Sequence, residues 1–491
     1  MSRDIPLPAH VRVAVVGSGF AGLGAAIRLK RDGYDDFVVL ERADDLGGTW
    51  RDNTYPGCAC DVQSHLYSYS FAPNPDWSRS YSGAAEIHAY LQRVATDFGV
   101  RPHLRYGAEL LQATWEDDAR HWQLTTSRGS LTADVVVSGT GPLSDPLIPE
   151  LPGLDTFAGR AFHSARWDHD HDLRGRRVAV VGTGASAIQF VPVVAEQAAS
   201  LTIFQRTPPW LLPRMDRRIK DSAKAKYRES PRRQRLVRTA IYWFRELNVL
   251  AFTGGGRMAR LAEKMARRHL ARQVADQELR AKLTPSYRIG CKRILLSDDY
   301  YPALTRPNVE LVTAPVVEVR PHSVVDADGR EHDVDTIVFG TGFHVTDQPI
   351  AARVRGRDGR LLSEAWGPSP EAYLGTTVPG FPNLFLLLGP NTVLGHTSVV
   401  YMIEAQLAYV LDALRLMDAR RLATVEVRPR VAEEFNDRIQ RSLQGTVWNA
   451  GGCKSWYLDA AGRNSSLWPT YTFRFRSATK RFDADSYVLR P

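Results

Sequence analysis

The sequence predicts an α/β protein with two Rossmann-like dinucleotide-binding domains and a helical insertion. Two observations predict it. A strand, a glycine-rich turn and a helix occur in that order twice, at Gly17 and again at Gly182. Between Pro213 and Leu283, strand signals give way to a basic stretch with helical spacing. A length of 491 residues leaves room for about three domain-sized units.

In the first copy, the apolar run Val11 to Val16 reads as a buried parallel strand. Gly17-Ser18-Gly19-Phe20-Ala21-Gly22 follows, and Leu23 to Leu29 has helical character. Gly17 suits the tight turn, Gly19 lets backbone approach a pyrophosphate, and Gly22 lets helix and strand pack closely. The helix N-terminus then faces the phosphates. A second strand, Phe37 to Leu40, ends at Glu41, whose carboxylate can bond ribose hydroxyls and would repel a 2′-phosphate. This half suits FAD or NAD.

The second copy is Arg177 to Val181, then Gly182-Thr183-Gly184-Ala185-Ser186-Ala187, with Ala187 in the third glycine's place. The next strand, Leu201 to Phe204, leads to Arg206 and Thr207. Glu41 lies 24 residues after Gly17, and Arg206 lies 24 residues after Gly182. An acid stands at one acceptor position and a base at the other. An arginine there favours a ribose 2′-phosphate. The second site is therefore expected to prefer NADPH, and the first to hold FAD.

The remaining chain is read around these two turns. Gly47 to Asp61 is an irregular loop on the cofactor side of the first sheet. On its own residues, Asp61 reads as a loop-capping carboxylate. Ala84 to Phe98 is expected to be a helix, and Leu110 to Trp115 and Trp122 to Thr126 short strands. Val135 to Ser138 and Thr336 to Phe339 are strands that end in Gly-Thr-Gly. The basic stretch is broken by Pro231 and Gly254-Gly255-Gly256, and Leu236, Ala240, Trp243 and Phe244 keep helical spacing. It reads as a solvated helical face, with a substrate-side lid or a membrane-surface contact as sharper alternatives. Val399 to Leu414 is the closing helix. The expected plan is an FAD-binding domain from 1–144 and 346–491, an NADP-binding domain from 145–212 and 288–345, a linker at 157–168, and the insertion at 213–287.

Composition excludes several classes. A net charge of +9 could mark nucleic acid or a membrane surface, but no nucleic-acid recognition fold is visible. Four cysteines are too few for a disulfide framework, and no C-x-x-C pair occurs. Cys58-x-Cys60 lacks partner ligands, so no metal site is expected. No apolar signal core and no apolar run of about 20 residues occurs, so a soluble, cytoplasmic protein is expected. The sequence indicates no oligomeric state. It has neither a G-x-S-x-G elbow nor H-E-x-x-H, which leaves the hard chemistry to cofactors.

Phe157 to Asp168 reads F-x-G-x-x-x-H-x-x-x-W-D through Phe157, Gly159, His163, Trp167 and Asp168. It resembles the fingerprint of type I Baeyer–Villiger monooxygenases. Gly47 to Asp61 resembles that family's G-G-x-W…Y-P-G-x-x-x-D stretch, which includes Trp50 and ends at Asp61. Gly290 to Arg293 resembles its G-x-K-R segment. Gly389-Pro390-Asn391, Leu394 to Ser398 with His396, and Cys453 to Tyr457 with Trp456 resemble its closing segments. The resemblance implies bound FAD and NADP(H), with Trp50 and Asn391 on the cofactor side and Trp456 at NADP and substrate. It implies Lys292 at the 2′-phosphate, Arg293 over the flavin, and Asp61 orienting that arginine. His396 is expected as a structural or flavin-edge histidine, with a catalytic acid or base as the alternative. The implied reaction uses NADPH and O2, and a C4a-peroxyflavin converts a ketone to an ester or lactone. An N- or S-oxygenating flavin-containing monooxygenase is the alternative. A non-catalytic flavin-bound interaction protein stands further off. The linker is expected to be a joint that Gly159 lets bend and His163 fixes by hydrogen bonding.

Overall fold

Strand His10–Val16 runs through the first sheet, with Val13 to Val16 buried in succession. Such an unbroken valine-rich run is what a strand covered on both faces requires. It pairs in parallel with Phe37–Leu40, Val13 opposite Phe37, and with Gly129–Ser138, Val13 opposite Val135. The computed structural model describes residues 5–253 and 256–491. Late in the chain, Leu384–Leu386 joins the same sheet beside Gly129–Ser138, Leu384 opposite Val136. Leu110–Glu116 and His121–Thr126 extend it as antiparallel strands, with Trp115 opposite Trp122. The long helix Val399–Arg420 closes this core, and Leu407 meets Gly24 of helix Phe20–Arg31. It runs past Leu414, the expected end, because Ala413, Leu414 and Met417 are still buried.

The second sheet has five parallel strands, in the order Val309–Val312, Ser200–Phe204, Arg177–Val181, Thr336–Phe339 and Arg160–His163. Its last strand comes from the F-x-G segment, with His163 opposite Phe339. That corrects the expectation of a bending joint. Gly159 has no left-handed backbone; a Cβ there would stand 2.3 Å from the Asp335 carbonyl oxygen. The glycine is needed for close packing, not for bending. His163 does fix the local course, because the Ala165 amide donates to its Nδ1 at 3.1 Å. Asp168 accepts from the Asp170 amide, and the Trp167 ring packs on Phe162 and Phe190. Phe157 is partly buried against the second sheet's core.

The insertion contains helices Asp221–Glu229, Pro231–Leu247, Val249–Thr253, Gly256–Gln273 and Gln277–Lys282. Pro231 starts a helix instead of breaking one, since it occupies the first position, where no amide bond is lost. Gly254 and Gly255 lie outside the described residues. The insertion is rooted by a short parallel ladder between Leu211–Leu212 and Leu295–Leu296. Leu236, Trp243 and Phe244 do fall on one helix, and all three face outward.

Candidate active site

Both glycine turns open on one cavity of about 1100 Å³. At the first, Gly17 has φ +93°, and a Cβ on Gly22 would fall 1.8 Å from the Gly17 carbonyl oxygen. No other residue allows the turn and the helix to approach this closely. At the second, Gly182 has φ +107° and lies against Gly340. Ala187 is buried at the first position of helix Ala187–Gln197, against that same Gly340 turn. Gly17, Gly19, Gly182 and Gly184 line the cavity; Gly22 and Ala187 sit behind the turns as packing contacts.

The loop from Gly47 to Asp61 crosses between the two turns. Tyr55 donates to Gln189 Oε1 at 3.0 Å, and Gln189 Nε2 donates back to the Ala59 carbonyl at 2.9 Å. Gln189 was not among the expected residues. Trp50 lines the cavity and donates to Tyr67 at 3.1 Å. Glu41 is buried and accepts from the Ser18 amide at 3.0 Å and the Ala43 amide at 2.9 Å. Arg51 lies 3.0 Å from the same oxygen that accepts the Ala43 amide.

Arg206, Thr207 and Lys292 also line the cavity. Neither cation pairs with a carboxylate among the described residues. Partial burial, then the nearby Arg206 charge, lowers the Lys292 pKa. Two uncompensated cations this close are a site for an anion such as phosphate.

Between these regions, Arg293 clasps Asp61. Its Nε donates to one carboxylate oxygen at 2.7 Å and its Nη2 to the other at 2.9 Å. Both side chains line the cavity, and each keeps 27% of its surface open. Burial opposes ionisation of Asp61, but Arg293 holds its carboxyl below the ordinary carboxylate range. Asp61 in turn raises the Arg293 pKa. The pair is thus an ionised, two-point ion pair, not a loop cap. Arg245, from helix Pro231–Leu247, steadies it by donating to the Asp61 carbonyl at 2.7 Å and to Gln63 at 2.6 Å. Tyr457 is fully buried beside the pair; burial pushes its pKa up to about 12 against the lowering pull of Arg293. Arg245 lies in no motif, and Tyr457 ends the C-terminal segment that resembles the family's without being assigned a role by it.

Two expectations are corrected, and a third residue takes the structural alternative. Asn391 does not line the cavity; its side-chain amide donates to the Asn464 carbonyl at 2.8 Å and the Leu467 carbonyl at 3.0 Å. It ties down the C-terminal loop. His396 is buried behind the cavity wall, 3.4 Å from Glu246, in keeping with its structural reading and not with a place at the flavin edge. Cys291 and Cys453 form a disulfide across 162 residues. The bond joins the Lys292-Arg293 segment to the loop that carries Trp456, 40% exposed on the cavity wall, and Tyr457. Cys58 and Cys60 remain free thiols, and no metal-holding cluster occurs among the described residues.

The residues present fit two dinucleotides. Each glycine turn gives a helix N-terminus close backbone access to a pyrophosphate, and the cavity exceeds the volume of an ordinary single-ligand pocket. Glu41 follows a strand of the first sheet and Arg206 a strand of the second. Fold and site together define a two-dinucleotide oxidoreductase.

The flavin-binding monooxygenase-like family profile matches residues 10–351. A Baeyer–Villiger monooxygenase of Streptomyces coelicolor is 56% identical over 484 residues, covering 98% of this chain and 93% of that protein. One of Pseudomonas aeruginosa is 50% identical, covering 99% and 93%. Among solved structures, cyclohexanone monooxygenase from Rhodococcus sp. Phi1 bound to NADP+ superimposes with a TM-score of 0.87 at 28% identity, covering 99% of this chain and all of that one. Oxidized steroid monooxygenase bound to NADP gives 0.85 at 31% identity, covering 98% and 100%. The chain belongs to the flavin-binding monooxygenase-like family, on its Baeyer–Villiger branch.

Proposed function

We propose that the protein uses FAD, NADPH and O2 to insert one oxygen atom beside a ketone carbonyl, giving an ester or lactone. The observation that carries the reading is the ionised Arg293–Asp61 pair on the cavity wall between the two glycine turns. Bound FAD, reduced by NADPH, supplies the oxygen-activating chemistry. The first turn, with Glu41, is assigned to FAD. The second turn, with Arg206, Thr207 and Lys292, is assigned to NADPH. Arg293 presents a fixed positive charge where negative charge develops on oxygen, in a site largely screened from water. Asp61 orients the guanidinium and keeps the local net charge near zero until the reaction begins. Trp456 is assigned to the nicotinamide and substrate side.

The small-molecule partners are a ketone and O2. The compartment we propose is the cytoplasm, in keeping with the free thiols of Cys58 and Cys60. There the Cys291–Cys453 bond meets cellular reductants through the half-buried Cys453. The test is direct. FAD-loaded protein is given NADPH and O2 with linear, cyclic and aryl ketones, beside thioethers and amines. Ester or lactone formation is expected. Oxygenation of thioethers or amines alone would move the protein to the N- and S-oxygenating class. NADPH consumption that no substrate stimulates would rule out both.

A further inference from the structure

Helix Pro231–Leu247 carries an apolar stripe on its outer side. Leu236, Ala240, Trp243, Phe244 and Leu247 recur at steps that place them on one face. Leu236 is 70% exposed, Phe244 64% and Leu247 54%. The patch extends past the helix. Phe473, itself exposed, belongs to helix Thr472–Ala478, and its ring lies 6.0 Å from that of Trp243. The two helices are held together by the Tyr242 and Thr472 hydroxyls, 3.1 Å apart. Large apolar side chains gathered on an outer face mark an interaction surface.

The flanks of the patch are cationic. Arg232, Arg233 and Arg235 are exposed at the start of the helix, and Arg474 and Arg476 are exposed around Phe473. None of the five pairs with a carboxylate among the described residues. The single acid of the helix, Glu246, points inward and accepts from Thr472 Oγ1 at 2.9 Å. The outer face therefore offers aromatic and aliphatic groups ringed by positive charge.

We propose that this face docks the protein on an anionic lipid surface. Leu236, Trp243, Phe244 and Phe473 enter the headgroup boundary, and the arginines meet lipid phosphates. The charge selects this occupant over a second copy of the chain. Isologous pairing would bring two faces of the same positive charge together. Contact is peripheral, because no helix among the described residues is long and apolar enough to cross a membrane. The opposite face of the helix reaches the site through Arg245, which donates to the Asp61 carbonyl. The docking face thus lies one helix away from the Arg293–Asp61 pair.

The test sediments the full chain, loaded with FAD, with two kinds of vesicle: phosphatidylcholine alone, and phosphatidylcholine with about 30% phosphatidylglycerol. Anionic vesicles should pellet at least about fivefold more protein, and about 0.5 M salt should release it. The double substitution Leu236→Ser with Phe244→Ser should abolish pelleting and leave the thermal midpoint unchanged. If that variant misfolds, Arg232→Glu with Arg235→Glu carries the test, since both side chains are exposed and unpaired. Equal pelleting of parent and folded variant, or none by the parent, overturns the proposal. A parent that sediments as a dimer without lipid, and as a monomer once Leu236 and Phe244 are replaced, would identify a second copy as the occupant and also overturn it.

Discussion

Arg293 meets Asp61 edge to edge, although 232 residues separate them in the chain. Nε and Nη2 both reach the carboxylate, Nη2 lying 2.7 Å from one oxygen and 2.9 Å from the other, and contact through two nitrogens fixes the guanidinium more firmly than one contact could. The Nη1 group is left to the Leu394 carbonyl at 3.4 Å, a long bond that costs little to exchange. The cation is therefore rigid in orientation while one nitrogen stays nearly free to meet a developing anion.

Removing this cation should damage turnover more than binding. Arg293→Ala is expected to lower kcat for ester formation by about 100-fold or more, the usual effect of losing a group that stabilises developing charge. Arg293→Lys keeps the charge but cannot make the fork, so it should recover only part. Steady-state kinetics with FAD content measured in parallel checks this. Ester formation by Arg293→Ala within a few-fold of the parent would remove the residue from the mechanism.

The second nucleotide end carries two unpaired cations, and Lys292 already feels the charge of Arg206. A 2′-phosphate would relieve that repulsion and gain charge-assisted hydrogen bonds. Each such bond contributes about 1.5–3 kcal/mol. Arg206→Ala should thus reduce the preference for NADPH over NADH by about 10- to 100-fold, mainly through KM for NADPH. The ratio of kcat/KM for the two nucleotides reads it. An unchanged ratio would dismiss Arg206 as the discriminating residue.

Both turns and the acid–base contrast were legible because each is local. Gly17 and Gly182 answer to the positive φ of their own turns and Gly22 to the nearby Gly17 carbonyl, and Glu41 and Arg206 follow at a fixed strand-and-helix offset. The Arg293–Asp61 pair was reached only through family resemblance; its residues alone read Asp61 as a loop cap. Arg245 lies in no motif, Tyr457 only ends a family-like segment that assigns it no role, and Gln189 lies in no motif. They arrive from an insertion, a C-terminal loop and a buried helix, and no local pattern marks a side chain whose partner is more than a hundred residues away. Gly159 shows a subtler miss. Glycine was read as freedom to bend, whereas the neighbouring Asp335 carbonyl leaves no room for a Cβ.

His163 supplies a pH prediction. Burial, with a smaller push from Arg166, lowers its pKa to about 4, from 6.5. The unfolded chain thus takes up a proton below about 6.5 while the folded chain does so only near 4. Its neutral form costs nothing above that window, and stability falls as pH drops through it. The full difference is about 3 kcal/mol. His163→Gln should flatten the fall in urea midpoint between pH 6.5 and 4. The same variant should impair oxygenation and keep its FAD, since the residue orders a sheet edge and does not line the cavity. A pH profile identical to the parent's would show that some other group governs acid lability.

The disulfide gives the last prediction. Cys291 immediately precedes Lys292 and Arg293, and Cys453 immediately precedes the loop bearing Trp456 and Tyr457. The bond therefore holds that loop over the cation pair. Cys291 is buried and Cys453 half-buried, so a dithiol reductant is expected to attack the Cys453 sulfur and release the Cys291 thiolate. The reductant's second thiol then closes its own disulfide, leaving two protein thiols. Reduction, or Cys453→Ser, should free the loop and speed proteolysis within residues 449–465. It should also raise KM for NADPH several-fold, because Trp456 loses its fixed place on the cavity wall. Thiol counting before and after reduction, together with limited proteolysis, reads the change. If Cys453→Ser matches the oxidised parent in both proteolysis and KM, packing alone holds the loop and the bond is dispensable.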